Sequence, residues 1–366
     1  MKVANITLHA INNYGSVFQT LATEKIFESL GCEVETIDYV RETAQLDSLC
    51  KIIKYGGPGL KIKLKQMILY MFPKTKNHRK EQLQQFRQKH LHLTKRRYSS
   101  DKELEEHTPD ADIYCTGSDQ TWNIEIQHGV PRAFFLHFAP EEKKRIAFSA
   151  SFGIAELPKR YKVEVKKLLS RYDAISVREA SGKQILDDLG FHDSVQVLDP
   201  TLAANPEMWY SLASSRIISQ DYILVYQLNS NDRLVNYVNE FARRKGLPIV
   251  HVRSRKEAII NCTFMPDCSP EDLLSLFKYS SYVITDSFHA TVFSLIFHCN
   301  FIDIYPPKFS TRIESILKLV GLQSRHITDY SRFDYADSII DYNIVDGILQ
   351  KERERSLDFL RRAIEA

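Results

Sequence analysis

The side chains best suited to a charged substrate gather around one run, Tyr282-Val-Ile-Thr-Asp-Ser-Phe-His289-Ala-Thr-Val-Phe-Ser-Leu-Ile-Phe297. It reads as a short buried strand, Tyr282 to Thr285, that turns at Asp286-Ser287 into an apolar helix. Ser287 and His289 then stand at the helix start, where unpaired backbone N–H groups and the helix dipole attract an anion. Ligands of parallel α/β sheets bind at the carboxyl ends of strands, so a histidine there suits the holding or protonation of a negatively charged substrate. Lys308 and Arg312 follow the next apolar run, in Tyr305-Pro-Pro-Lys-Phe-Ser-Thr-Arg312. They would converge on the same anion if the two strands are neighbours. A capped helix with a core histidine is the competing account.

Three further groups lie at strand ends. Arg178 closes the apolar run Ala174-Ile-Ser-Val177 and stands beside Glu179. Its guanidinium either pairs with Glu179 or another acid, or offers its fork to a carboxylate or phosphate. Gly117-Ser118-Asp119-Gln120 with Trp122-Asn123 follows the strand signal at Asp112 to Thr116. Ring stacking by Trp122 and hydrogen bonds from Ser118, Asp119 and Gln120 suit sugar hydroxyls; a helix cap beside a packing tryptophan is the plainer alternative. Asn13-Tyr-Gly15-Ser16 separates the first strand from the first helix. The glycine permits a tight turn whose N–H groups could cradle a hydroxyl or phosphate, and an N-cap by Ser16 is the alternative.

The elements that must position these residues are βα units. Lys2 to Leu8 is a strand, Val17 to Leu30 has helical apolar spacing stopped by Gly31, and Glu33 to Asp38 alternates as the next strand. Without G-x-G-x-x-G this Rossmann-like opening carries no dinucleotide fingerprint. Strand signals at 112–116, 145–152, 174–178 and 195–198 bring the first sheet to about six strands. A second series runs from the strand at 221–226 through the helix at 232–245, ended by Gly246, to the strand at 248–252. A helix at 271–279, the opening strand–helix unit, a strand at 301–305 and a helical tail from Asp341 complete it. The predicted fold class is α/β, with two Rossmann-like domains facing across a cleft. Residues 1–203 form the acceptor side with a basic helical insertion at 51–97, residues 204–340 the donor side, and 341–366 a C-terminal helix.

The bulk numbers narrow the function classes. A chain of 366 residues can build two cores, and a net charge of only +3 gives no global argument for nucleic acid. Between Lys51 and Arg97, fourteen Lys and Arg residues face the single acid Glu81. That segment reads as amphipathic helices with solvated lysine faces, or as a basic surface approaching anionic lipid headgroups or a diphosphate-linked acceptor. Six cysteines without a C-x-x-C pair suggest core thiols in a reducing cytoplasm, and neither zinc spacing nor another metal-ligand cluster appears. The start Met1-Lys-Val-Ala-Asn reads as a strand and not a signal peptide, and no run is long enough to span a bilayer. A cytoplasmic protein, with peripheral contact at the inner membrane surface through 51–97, is the expectation.

Five motifs in order extend this reading: Asn13-Tyr-Gly15 with Gln19-Thr-Leu-Ala22, Gly117-Ser-Asp-Gln-Thr-Trp-Asn123, Ser176-Val-Arg-Glu179, Leu198-Asp-Pro-Thr201, and Thr285-Asp-Ser-Phe-His-Ala-Thr-Val-Phe-Ser294. Through them the chain resembles the polysaccharide pyruvyl transferases, from its N-terminus to about residue 325. The resemblance implies a glycosyltransferase-B-like pair of domains. It further implies transfer of the enolpyruvyl unit of phosphoenolpyruvate onto two hydroxyls of one sugar in a surface or exopolysaccharide precursor, lipid-linked or nucleotide-linked. A cyclic ketal and free phosphate result, and no cofactor is needed. The family's donor-holding arginine and histidine fall on Arg178 and His289, with Lys308 a looser match. His289 would act as general acid. Relatives often carry an acid after the N-terminal glycine turn where this chain has Ser16, which leaves Asp119 as a substitute base. The rivals are a nucleotide-sugar glycosyltransferase on the same architecture and a non-catalytic module of polysaccharide assembly.

Overall fold

The computed structural model describes residues 1–41, 78–252, 259–306 and 310–365. Among the described residues the strands pair only in parallel and fall into two sheets. The first has the order β3-β2-β1-β4-β5-β6-β7, from β1 (Lys2–Ile6), β2 (Glu33–Tyr39), β3 (Leu93–Tyr98), β4 (Ile113–Thr116), β5 (Lys144–Ala150), β6 (Ala174–Val177) and β7 (Val195–Gln196). The second has the order β10-β9-β8-β11-β12, from β8 (Ile223–Tyr226), β9 (Ile249–Val252), β10 (Cys262–Phe264), β11 (Tyr282–Thr285) and β12 (Phe301–Asp303). In each sheet the order reverses beside the first strand, between β1 and β4 and between β8 and β11. Such switch points open the crevice where doubly wound sheets take ligands. The two Rossmann-like domains expected from the βα pattern are present.

Two expectations are corrected. The first sheet has seven strands, not about six, because Leu93–Tyr98 inside the supposed helical insertion is an edge strand. Lys95, Arg96 and Arg97 are exposed along it, the charged pattern that protects a sheet edge and hides a strand from hydrophobic periodicity. Upstream, α2 (His78–His90) is helical as expected, but its Arg79 is buried and not solvated. The remainder of the basic segment, 51–77, lies outside the described residues. The first helix, α1 (Tyr14–Ser29), also begins three residues early. Asn13 is its N-cap, accepting a hydrogen bond from Gly15 N at 2.8 Å, so Gly15 and Ser16 belong to the first helical turn.

Helix α1 is buried on nearly every side, from Tyr14 through Glu24. One side covers the first sheet; the other enters the second half. Phe18 meets Phe86 of α2, Trp209 of α7 (Glu207–Leu212) and Phe293 of α10 (Phe288–Ile296) edge-on, at centroid distances of 5.8, 5.5 and 4.9 Å. Tyr14 donates its hydroxyl to Cys268 O at 2.6 Å. The halves are therefore joined by a continuous apolar core. The C-terminal helix α12 (Tyr342–Glu365) crosses back to the first half, where Ser356 Oγ accepts from Leu198 N at 3.0 Å and Ile364 O accepts from Lys144 Nζ at 2.9 Å. No helix among the described residues is long and apolar enough to cross a membrane. Among the described cysteines Cys32, Cys115, Cys268 and Cys299 are buried free thiols.

Removing the Phe18 ring empties the joint between the halves. Phe18→Ala is expected to cost about 3–5 kcal/mol and to uncouple the unfolding of the two halves. Urea denaturation followed separately at Trp122, in the first core, and Trp209, in the joint, should then show two transitions. A single transition at the wild-type midpoint would refute the role of the joint.

Candidate active site

Three carboxylates and one guanidinium meet at the carboxyl ends of β4, β6 and β7. Arg178 follows β6 and its side chain is wholly enclosed. Its Nη1 donates to Asp199 Oδ2 at 2.6 Å and to Ser118 Oγ at 3.3 Å, while Nη2 donates to Asp119 Oδ1 at 3.3 Å. Glu179 Oε2 lies 3.7 Å from Arg178 Nε. Of the two readings of Arg178 offered above, pairing with internal acids is the one observed, and its fork is occupied by the protein. A charge so deep is tolerable only because acids surround it.

Asp199 was visible in sequence as a strand-end turn and as part of the Leu198-Asp-Pro-Thr201 motif, without a site role. It N-caps the short α6 (Pro200–Ala203) through Thr201 N at 3.0 Å and also accepts from Ser118 Oγ at 3.0 Å. Burial works against its charge, but Arg178, His289 and the Thr201 bonds outweigh it and hold the carboxyl at about 2. Asp119 is likewise held below the usual carboxylate range, with Arg178 the chief force against burial. Its backbone sits at φ 77, in the left-handed region that a non-glycine residue rarely occupies. Ser16 Oγ donates to Asp119 Oδ2. The carboxylate absent from position 16 is thus brought to that position by Asp119.

The second half contributes His289, second residue of α10, and Arg312, second residue of α11 (Thr311–Leu319). Both lie among the carboxylates: His289 Nε2 is 3.9 Å from Asp199 Oδ2, and Arg312 interacts electrostatically with Asp119, Glu179 and Asp199. Phe288 lies against both guanidiniums, with Arg178 Cζ 4.8 Å and Arg312 Cζ 5.6 Å from its ring centroid. Yet His289 Nε2 and Arg312 Nε are buried without a hydrogen-bond partner, and so are Arg178 Nε and Glu179 Oε2, which face each other as an ion pair. Burial, reinforced by the two arginines and opposed by Asp199 and Asp119, holds the imidazole at about 4. Arg312 is lowered to about 10, chiefly by burial and then by Arg178.

Gly15 explains how the halves close. A methyl group on its Cα would run into the imidazole of His289, so only glycine lets the start of α1 meet that ring. Asn13 serves as the cap described above. Ser287 occupies the N-cap position of α10, but its side chain makes no capping bond. Gln120 is half-buried and accepts from Asn123 Nδ2 at 2.7 Å. Trp122 is corrected as a sugar platform: the indole is fully buried, stacks on Phe135 at 5.1 Å and donates Nε1–H to Phe134 O at 2.9 Å. Lys308 lies outside the described residues. No group of three or more His, Cys, Asp or Glu among the described residues is placed to hold a metal.

These shifts fix an acid dependence of stability. The unfolded chain takes up a proton at His289 below about 6.5, whereas the folded site resists until about 4. Stability should therefore decline across that window as pH falls. The Asp199 contribution disappears only lower, between its ordinary 3.8 and about 2. In His289→Gln the slope between 6.5 and 4 assigned to this group should vanish from urea midpoints measured against pH. An identical slope in both proteins would contradict the assignment.

The Polysaccharide pyruvyl transferase family profile matches residues 13–305. No curated protein matches the chain by sequence. Among solved structures, a Listeria monocytogenes protein described as a UDP-N-acetylglucosamine 2-epimerase superposes with a TM-score of 0.51 at 10% identity, covering 95% of this chain and 90% of its own. AviGT4, a glycosyltransferase involved in avilamycin A biosynthesis, gives 0.50 at 12% identity, covering 100% and 99%. At these identities the likeness speaks for the fold alone, the two-domain glycosyltransferase-B-like architecture. The family match runs through both sheets and includes the turns that carry Gly15, Asp119, Arg178, Asp199 and His289, and the chain belongs to the polysaccharide pyruvyl transferase family.

Proposed function

We infer that the protein transfers the enolpyruvyl unit of phosphoenolpyruvate onto two hydroxyls of one sugar in a polysaccharide precursor. The observation that carries this reading is the family match over both domains. The unpaired His289 Nε2 and Arg312 Nε support it, since buried polar groups without partners call for a ligand. The donor's phosphate and carboxylate would lie against Arg312, His289 and the start of α10, not in the closed fork of Arg178. Arg178 acts as a positioning residue that keeps Asp119 and Asp199 ionised and fixed.

The reaction can be written with these groups. A proton passes to the methylene carbon of the donor, which becomes the methyl group and leaves positive charge at C2. One acceptor hydroxyl adds to C2 and gives up its proton to Asp119, relayed from Ser16 or taken directly. The C2–O bond to phosphate then breaks, and the second hydroxyl closes the ketal, its proton leaving with phosphate. His289 supplies the first proton. It is neutral when the site is empty, but the donor's negative charges favour the imidazolium. Donor binding and proton uptake are therefore coupled. The sugar would approach Ser118, Asp119 and Gln120 from the first half.

His289→Gln should lower kcat by at least about 100-fold with a smaller change in donor affinity, and Arg312→Gln should raise the donor KM. Gly15→Ala should impair turnover by displacing the imidazole while leaving the far-ultraviolet circular dichroism unchanged. Phosphate release from phosphoenolpyruvate with a panel of sugar acceptors is the assay. Full turnover in His289→Gln would overturn its role, and glycosyl transfer from a nucleotide sugar with no phosphate released from phosphoenolpyruvate would overturn the reaction.

A further inference from the structure

A second charged cluster lies on the same ligand edge of the first sheet, outside the site above. Asp38 of β2 is its centre. His9, two residues past Thr7 at the end of β1, places Nε2 3.0 Å from Asp38 Oδ1, and Arg97 of β3 donates Nε to Asp38 Oδ2 at 2.8 Å. Asp38 and Arg97 face each other in the strand register. Helix α2 adds a second guanidinium: Arg87 has Asp38 and Arg97 as its charged neighbours, and its Nη1 is buried with no hydrogen-bond partner. One guanidinium and an imidazole thus hold the carboxylate, and the second guanidinium stands within its field.

An enclosed guanidinium nitrogen without a partner, beside a second arginine and a single carboxylate, is the complement of an anion. Position narrows the anion's class. In the order β3-β2-β1-β4 the Asp38 strand lies two intervals from the strand that leads to Asp119, roughly 10 Å at the usual strand spacing. The two regions are also tied directly, for Thr7 Oγ1 donates to Ser118 O at 2.6 Å. A sugar ring against Ser118 and Asp119 would carry an anomeric phosphate into reach of Arg87 and Arg97. We propose that Arg87 and Arg97 form an anion subsite that takes the phosphate of a phosphate- or diphosphate-linked sugar acceptor. The subsite rests on the transferase reading for its ligand but not for its charge.

Inorganic pyrophosphate tests the site without turnover, by isothermal titration on the full chain. Arg87→Gln and Arg97→Gln should each weaken pyrophosphate at least tenfold, with phosphoenolpyruvate affinity within twofold of wild type. Arg312→Gln should show the reverse pattern. The Arg97 side chain is 65% exposed, so its replacement guards against a folding defect at the more enclosed Arg87. Pyrophosphate affinity unchanged in both variants, or lost only in Arg312→Gln, would overturn the subsite. Pyrophosphate binding that depends on Arg87 in a protein that does not bind phosphoenolpyruvate would uphold the subsite and remove the donor assignment instead.

Discussion

The pairing of Arg178 with Asp199 and Asp119 is the constraint on which the site depends. A guanidinium with no exposed surface must be met by negative charge, and breaking a buried pair by removing one member typically costs about 3–5 kcal/mol. That demand draws together segments 59 and 21 residues from Arg178 in sequence. It orients Ser118 through Asp199, and with the Ser16 bond it holds Asp119 in a left-handed backbone conformation. Burial keeps the neighbouring His289 neutral against the pull of the same carboxylates. Chemistry and local stability therefore share one set of charges.

The halves contribute unequally. The first supplies a closed network whose carboxylates and arginine mostly satisfy one another. The second inserts His289 and Arg312 into that network and leaves both with an unpaired nitrogen. The apolar joint, built on Phe18, Trp209 and Phe293, helps to keep these groups in place. Gly15 marks the seam, because the start of α1 touches the imidazole where any larger residue would hold the domains apart.

Much of this was legible from sequence because strand ends announce themselves. Apolar runs followed by Asp286-Ser287, by Gly117-Ser118-Asp119 or by Arg178 located the ligand edge before any coordinates. What could not be read was which polar groups satisfy one another. Arg178 looked as able to bind substrate as to pair internally, and only its enclosure by Asp199 and Asp119 decides. Asp199 read as part of a strand-end turn; it caps the next helix with one oxygen and holds Arg178 with the other. Trp122 resembled a sugar platform because its neighbours are polar, whereas indole burial depends on Phe135 and Phe152 from other segments. Strand β3 was missed because an edge strand carrying Lys95, Arg96 and Arg97 has lost the alternation that reveals interior strands.

The closed fork of Arg178 changes the charge balance of the proposed reaction. With His289 neutral, the described cluster holds Asp119, Asp199 and Glu179 against Arg178 and Arg312, one negative charge in excess. A polyanionic donor entering such a site meets net repulsion unless a proton comes with it. His289, held at about 4 chiefly by burial, is the group that can accept that proton once the donor's charge outweighs the desolvation. Its low value in the empty site ties protonation to the donor, because the proton is held only when the donor's charge is present to favour it. An arginine already open to the donor would have made binding stronger but left the imidazole neutral and without a proton to give. On the proposed reading, enclosing Arg178 among acids is what turns substrate charge into general-acid chemistry.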